Sequence, residues 1–391
     1  MQSRSRRWTF VTIYGLVCAS NQMLWLTFAP MTTTAANHYH VSVSDIGWLS
    51  EIFPLAYFLL AIPFGHALDK NFKVSLSGGA ALNAIGAIVR TLSGSFAIIL
   101  VGQILIAISQ PLLLNAITRV AGEYLDEKDR PNGLALGSAS LFLGMLFSLI
   151  LGSAFSIADI ANLIRGEALV ATVLVVALVF AVKYIDPLVE QLPAEDGSGA
   201  RRLLQSGPFL ALLGLAAIGF GAFIAITTWL QSILADRGVS ANSAGLLLVV
   251  MVVSGTVGAG IIPSIVTKRK LERIQLYITT TVTTALCITV AFVSNYVATM
   301  AAMAIGGFLL IGALPTLLDI ADRTSSGSSG IASGLVWLAG NGGGLVIALI
   351  VQQLVKSPLE SFLFLAAMTF AAAFLVPVLP IKRFSSEAVS L

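Results

Sequence analysis

The chain has 391 residues, a formal net charge of +3, 57% apolar residues and only 10% charged ones. That balance excludes a soluble globular domain and leaves an integral membrane protein, whose slight positive excess calls for lipid and not for a nucleic-acid partner. No HExxH, nucleotide-binding loop or Ser/His/Asp set is present, so neither an enzyme nor a bound cofactor or metal is expected.

Crossing the hydrocarbon takes about 20 residues per helix. Twelve runs of that order are expected as spans, at 8–34, 43–68, 74–93, 96–121, 132–156, 161–185, 207–233, 241–266, 272–293, 296–320, 329–355 and 359–381. Long Leu-, Ala- and Gly-rich runs read as helices, since a membrane barrel shows short alternating segments. The first run is too long for a signal peptide and is taken as span 1. An all-α protein of two six-helix bundles is expected, over 1–186 and 207–391, joined by a polar linker at 187–206. With both termini cytoplasmic, eighteen of the twenty-two Lys and Arg fall inside, leaving Arg90, Arg165, Arg237 and Lys356 outside. In a bacterium this is an inner-membrane protein, expected as a monomer.

Along the chain, span 1 gathers Gln22, Trp25 and Phe28 on one face at a spacing of three. Trp25 lies too deep for the interfacial aromatic belt, and an indole N–H in lipid needs a partner that a cavity supplies. His38, His40 and Asp45 follow in an expected external loop, too few and too loosely spaced for a metal site. Glu51, one to two turns inside span 2, is an intramembrane acid and so a functional candidate. Gly65–Lys73 closes span 2, with Asp69 placed to latch against basic residues on the inner side. Span 4 ends in QPLLLNAITR, holding Gln110 and Arg119. Asp159, Arg165 and Glu167 are expected to cluster outside. Span 7 is loosened by Gly219 and Gly221 before Phe223. Span 11 carries Trp337 and Asn341 among many glycines, a composition that calls for bending, breaking or close backbone approach to a ligand. Cys18 and Cys287 lie in apolar spans and imply no disulfide.

Half of this pattern recurs. Pro315, Asp319 and Arg323 repeat the spacing of Pro111, Asn115 and Arg119 at an offset of 204, and Ala244–Lys268 aligns with Ile46–Lys70 at an offset of 198, placing Gly245 over Gly47. Such duplication is the mark of a transporter whose site lies between its halves.

GHALDKNFK at 65–73 resembles the cytoplasmic signature of the major facilitator superfamily, with Gly65, Asp69, Lys70 and Lys73 matching and Phe72 replacing a usual glycine. RRWTFVTIYGLVCASNQMLWL, VSVSDIGWLSEIFPLAY, GQILIAISQPLLLNAITRVA and GAFIAITTWLQ resemble one branch of it, the feline leukaemia virus subgroup C receptor family and its bacterial relatives. Members move choline, ethanolamine or related small cations, and haem has been proposed. The resemblance puts Trp25 where a tryptophan stacks on the ammonium head, Gln110 where a glutamine stands, Ile224 in place of a tyrosine beside Phe223, and Asn341 in place of a second glutamine.

The expected function is a secondary transporter of a small organic solute, a cationic amine first, working by alternating access. Broad-specificity proton-coupled efflux of drugs or amphiphiles is the alternative, and a receptor without transport is the alternative of another class. The expected binding set is Gln22, Trp25, Gln110, Phe223, Trp337 and Asn341; Glu51, Asp69, Arg119, Asp319 and Arg323 are the gating and coupling candidates, with protons as the candidate coupling ion.

Overall fold

The computed structural model describes residues 3–154, 160–188, 198–325 and 329–379. It is helical throughout, with no strand among the described residues. In chain order the helices are α1 (Arg4–Leu26), α2 (Thr32–Tyr39), α3 (Val43–Lys70), α4 (Phe72–Val89), α5 (Phe96–Leu114), α6 (Ile117–Tyr124), α7 (Arg130–Ala154), α8 (Ile160–Tyr184), α9 (Ser198–Leu204), α10 (Gly207–Ala235), α11 (Ala241–Arg269), α12 (Glu272–Phe292), α13 (Tyr296–Thr324), α14 (Ser329–Leu354) and α15 (Pro358–Ala373). Among the described residues, eleven helical stretches are long and apolar enough to cross a membrane. The expected first span is not among those eleven: α1 has 23 residues, but Asn21, Gln22 and other polar side chains within it make it less apolar than the rest.

The helices begin where short polar side chains take up orphan backbone N–H groups. Ser42 and Asp45 form a reciprocal capping box at α3, so Asp45 caps a helix instead of joining the histidines in a site. Ser206, Asn295 and Ser357 cap α10, α13 and α15 in the same way. At the chain start, Arg4 holds Asp129 through two hydrogen bonds of 2.7 Å, which also hold that carboxyl below its ordinary range.

Four expectations need correcting. Span 1 does not run to 34: α1 ends at Leu26, a 3-10 turn at Ala29–Met31 with Pro30 at its start intervenes, and α2 resumes at Thr32. A proline removes an N–H and clashes with the preceding turn, so the chain bends there. Span 4 is interrupted at Asn115–Ala116, between α5 and α6. The expected linker is partly helical, as α9, while Glu190, Glu195, Asp196 and Gly197 lie outside the described residues, as does Asp159. The glycines of α14 do not break it. They allow close approach to α10, where a methyl group on Gly343 would overlap the Ala217 carbonyl and one on Gly344 would overlap Ile224.

Within a bilayer, helices associate by packing and hydrogen bonding, not by expelling water. The first half pairs α1 with α7, α4 with α5 and α4 with α8; the second pairs α11 with α13, α10 with α14 and α12 with α15. The halves meet along α3 and α14, along α7 and α11, and where the turn after α1 and α2 lies on α10. The chain start, the α3–α4 turn and the ends of α6 and α13 mark one face, called here the linker face; α2, the start of α3 and the end of α10 mark the far face.

Candidate functional site

Trp25 does not point into open space. Its indole N–H donates to the Ser50 carbonyl at 2.9 Å, and its ring stacks on Phe53 at 5.9 Å. That carbonyl is available because its usual helical donor, four residues on, is Pro54, which has no N–H. The partner that sequence reasoning sought in a cavity is therefore supplied by a proline-vacated backbone. Among the described residues Gln22 reaches only Asn21, at 3.4 Å. Asn21 is the anchor of a polar network, donating to Asn83 at 3.0 Å and to Ser109 at 3.1 Å, which ties α1 to α4 and α5. Gln110, though buried, forms no hydrogen bond with a described residue.

In the second half, Phe220 links two of the expected residues, stacking on Phe223 at 5.8 Å and meeting Trp337 edge-on at 5.6 Å. Phe220 was missed in the sequence because it sits between Gly219 and Gly221, which drew the reading to flexibility. Asn341 turns back to its own helix, donating to the Trp337 carbonyl at 2.9 Å. Phe220 and Phe223 line an apolar cavity of about 50 Å³ with Phe142, Thr280 and Leu314. Of the six expected binding residues only Phe223 lines it. Trp25 and Phe223 share the apolar core that spans both halves, but Gln22, Gln110 and Asn341 make no hydrogen bond across them.

Four of the five charged candidates, Asp69, Arg119, Asp319 and Arg323, sit in two separate groups on the linker face, while Glu51 is buried near the start of α3. Arg119 pairs with Glu123 at 2.6 Å and Asp69 at 3.5 Å, donates to the Leu68 carbonyl at 2.7 Å, and lies 4.6 Å over the Phe72 ring. Arg323 pairs with Glu272 at 3.0 Å and with Asp319. Asp69 thus pairs with a basic residue of its own half, Arg119. Among the described residues, every ion pair joins groups on the same side of the linker.

The far face is the opposite. Thr32 donates to Gln231 at 2.5 Å and meets the Ser232 hydroxyl at 2.6 Å, Gln231 exchanges two bonds of 2.7 Å with Thr33, and Gln352 donates to Ser44. Each of these crosses the halves. The two glycines paired by the internal repeat are also here: Gly47 lies directly against the Trp229 ring and Gly245 against Ser153, so each half offers a glycine to the other.

A buried ion pair was also missed. Arg90 and Glu167, expected outside, are 0% and 1% exposed and 3.0 Å apart. Arg90 also donates to Thr27 at 3.1 Å and to the Leu24 carbonyl at 3.3 Å, where Gln103 donates as well at 3.0 Å, and it lies 5.4 Å from the Phe28 ring centroid. The end of α1 explains it, since terminal carbonyls lack helical donors and attract a cation. Among the described residues no group of three or more His, Cys, Asp or Glu is gathered as a metal site.

These features define an all-helical integral membrane protein whose halves close on one face and stay separately neutralised on the other. The chain belongs to the Major Facilitator Superfamily, whose family model matches residues 11–348. It is similar to solute carrier family 49 member A3 of Danio rerio, 29% identical over 309 residues, which cover 74% of this chain and 65% of that protein. The chain thus spans just under two thirds of that relative's length. It is also similar to the choline/ethanolamine transporter FLVCR1 of Mus terricolor, 25% identical over 419 residues, covering 96% of this chain and 75% of that protein. The crystal structure of a bacterial homologue of the human lysosomal transporter Spinster, inward-facing and unoccupied, matches with a TM-score of 0.69 at 15% identity over 96% of both chains, a likeness of fold.

Proposed function

We propose that the chain is a secondary transporter moving a small organic solute, a cationic amine first, by rocking its halves about a site between them, with the linker face cytoplasmic. One observation carries this reading: the inter-half hydrogen bonds gather on the far face, whereas the ion pairs of the linker face each stay within one half. A carrier with one gate shut and the other open has this asymmetry. Similarity to choline/ethanolamine transporters supports the cationic substrate. The unpartnered amide of Gln110 and the ring of Trp25 are the groups assigned to it, with Gln22, Phe223, Trp337 and Asn341 completing the site as the halves move. The apolar cavity beside Phe220 favours a second reading, in which an amphiphile's tail is carried.

The test is uptake of choline and ethanolamine into proteoliposomes. A stacked cation is worth roughly 0.5–2 kcal/mol, so Trp25→Ala is expected to weaken apparent affinity by about tenfold, and Trp25→Phe to retain part of it. Normal uptake by Trp25→Ala, or binding of anions and neutral solutes alone, would reject the cationic site. Asp69→Asn frees Arg119 from one of its two carboxylates. It is expected to slow cycling with substrate affinity changed by less than about threefold, the scale of a partly exposed ion pair; equal loss of binding and transport would refute a gating role.

A further inference from the structure

We propose that Glu51 is a proton-binding site whose occupancy is tied to closure of the far face. This rests on the reading that the halves part there, and adds what their parting is coupled to.

Glu51 is 0% exposed, and both its carboxylate oxygens lack a hydrogen-bond partner. It is four residues after Gly47, so the two share one face of α3, and Gly47 is the glycine pressed on Trp229 of α10. The side chain facing the carboxyl is the neighbouring Thr228, whose hydroxyl is likewise buried without a partner, as is the indole N–H of Trp229. Three polar groups are thus enclosed at the contact between halves, in a protein that satisfies most of its other buried polar groups.

Among the described residues no charge compensates the acid. Of the elements packed on α3, α5, α10 and α14 carry no ionisable side chain among the described residues. Tyr14 and Cys18 of α1 meet the Leu113 carbonyl, His38 and Tyr39 of α2 pack on each other, Arg90 at the end of α4 is committed to Glu167, and the remaining charges of α1, α3 and α4 stand at the helix ends. A carboxylate in that position loses its hydration and gains at most the Thr228 hydroxyl in exchange, with no cation beside it. The acid form, R–COOH, is neutral and brings a donor that the Thr228 hydroxyl can accept. A metal cation needs several oxygens around it; a proton needs one. Closing the far face therefore takes up a proton from that side, and opening it rehydrates Glu51 and releases the proton there.

The experiment uses the full chain in liposomes with Ser232→Cys as reporter, a far-face position 6% exposed and bonded to Thr32. Labelling by a membrane-impermeant maleimide is followed from about pH 5.5 to about pH 8.5 in this parent and with Glu51→Gln added, the amide standing for the permanent acid form. Dividing the two rates removes the thiol's own ionisation. The ratio of parent to variant is expected to rise about tenfold or more across that range, as one linked proton requires. Should Glu51→Gln assemble poorly, Glu51→Met gives the same comparison with an apolar side chain of like volume. A flat ratio overturns the proton site and leaves the rocking transporter standing. A reporter that stays unlabelled at every pH, with and without choline, overturns both.

Discussion

Glu167→Ala is expected to destabilise the protein more than any other single change considered, by about 3–5 kcal/mol, because it strands Arg90 as an unpaired buried cation. The two side chains are enclosed, and the guanidinium also supports the last carbonyls of α1 through Leu24. Thermal unfolding in detergent measures the effect. The double change Arg90→Met with Glu167→Leu is expected to recover much of the loss, since a buried pair replaced by packed apolar groups is often neutral. A single variant as stable as the parent would mean that water reaches the pair.

Gly47→Ala has the second largest expected effect, and acts on conformation. Its new methyl group overlaps the Trp229 ring, so the far face can close only if α3 and α10 separate or the ring turns. Overpacking of this kind costs about 1–3 kcal/mol, which is about a tenfold shift in population at 1.4 kcal/mol per decade. Maleimide labelling of Ser232→Cys is expected to speed up accordingly, and Gly245→Ala, against Ser153, to do the same from the other half. Adding Trp229→Ala to Gly47→Ala is expected to restore slow labelling. Slow labelling in both glycine variants would place the pivot elsewhere.

The membrane class and the internal repeat were legible because both are written locally, in long apolar runs and in the recurrence of Pro111, Asn115 and Arg119 as Pro315, Asp319 and Arg323. The pairing follows the repeat as well: each arginine has one acid a turn away, Glu123 for Arg119 and Asp319 for Arg323, and one on another helix of its own half, Asp69 for Arg119 and Glu272 for Arg323, which no single run of sequence shows. One proline misled: Pro30 stands in a turn inside an expected span, whereas Pro54, Pro63 and Pro263 sit inside helices that the expected spans also carry through them. Neighbouring helices and side chains decide such cases, and a single span does not show them. Arg90 and Glu167 were read as external from their nearness to the ends of apolar runs, since nothing in either run announces a partner 77 residues away. Glu51 was visible as an acid within a span, but Thr228 opposite it was not.

The bond from Trp25 reaches a Ser50 carbonyl that has no helical donor because residue 54 is a proline. Two positions 29 residues apart in sequence, on different helices, are therefore one unit of inheritance. An ordinary residue at 54 would return the Ser50 carbonyl to its own helix and leave the indole N–H of Trp25 to seek another acceptor; loss of the tryptophan would leave that carbonyl bare in a dry interior. Neither change is neutral alone, and the pair is expected to drift together or not at all.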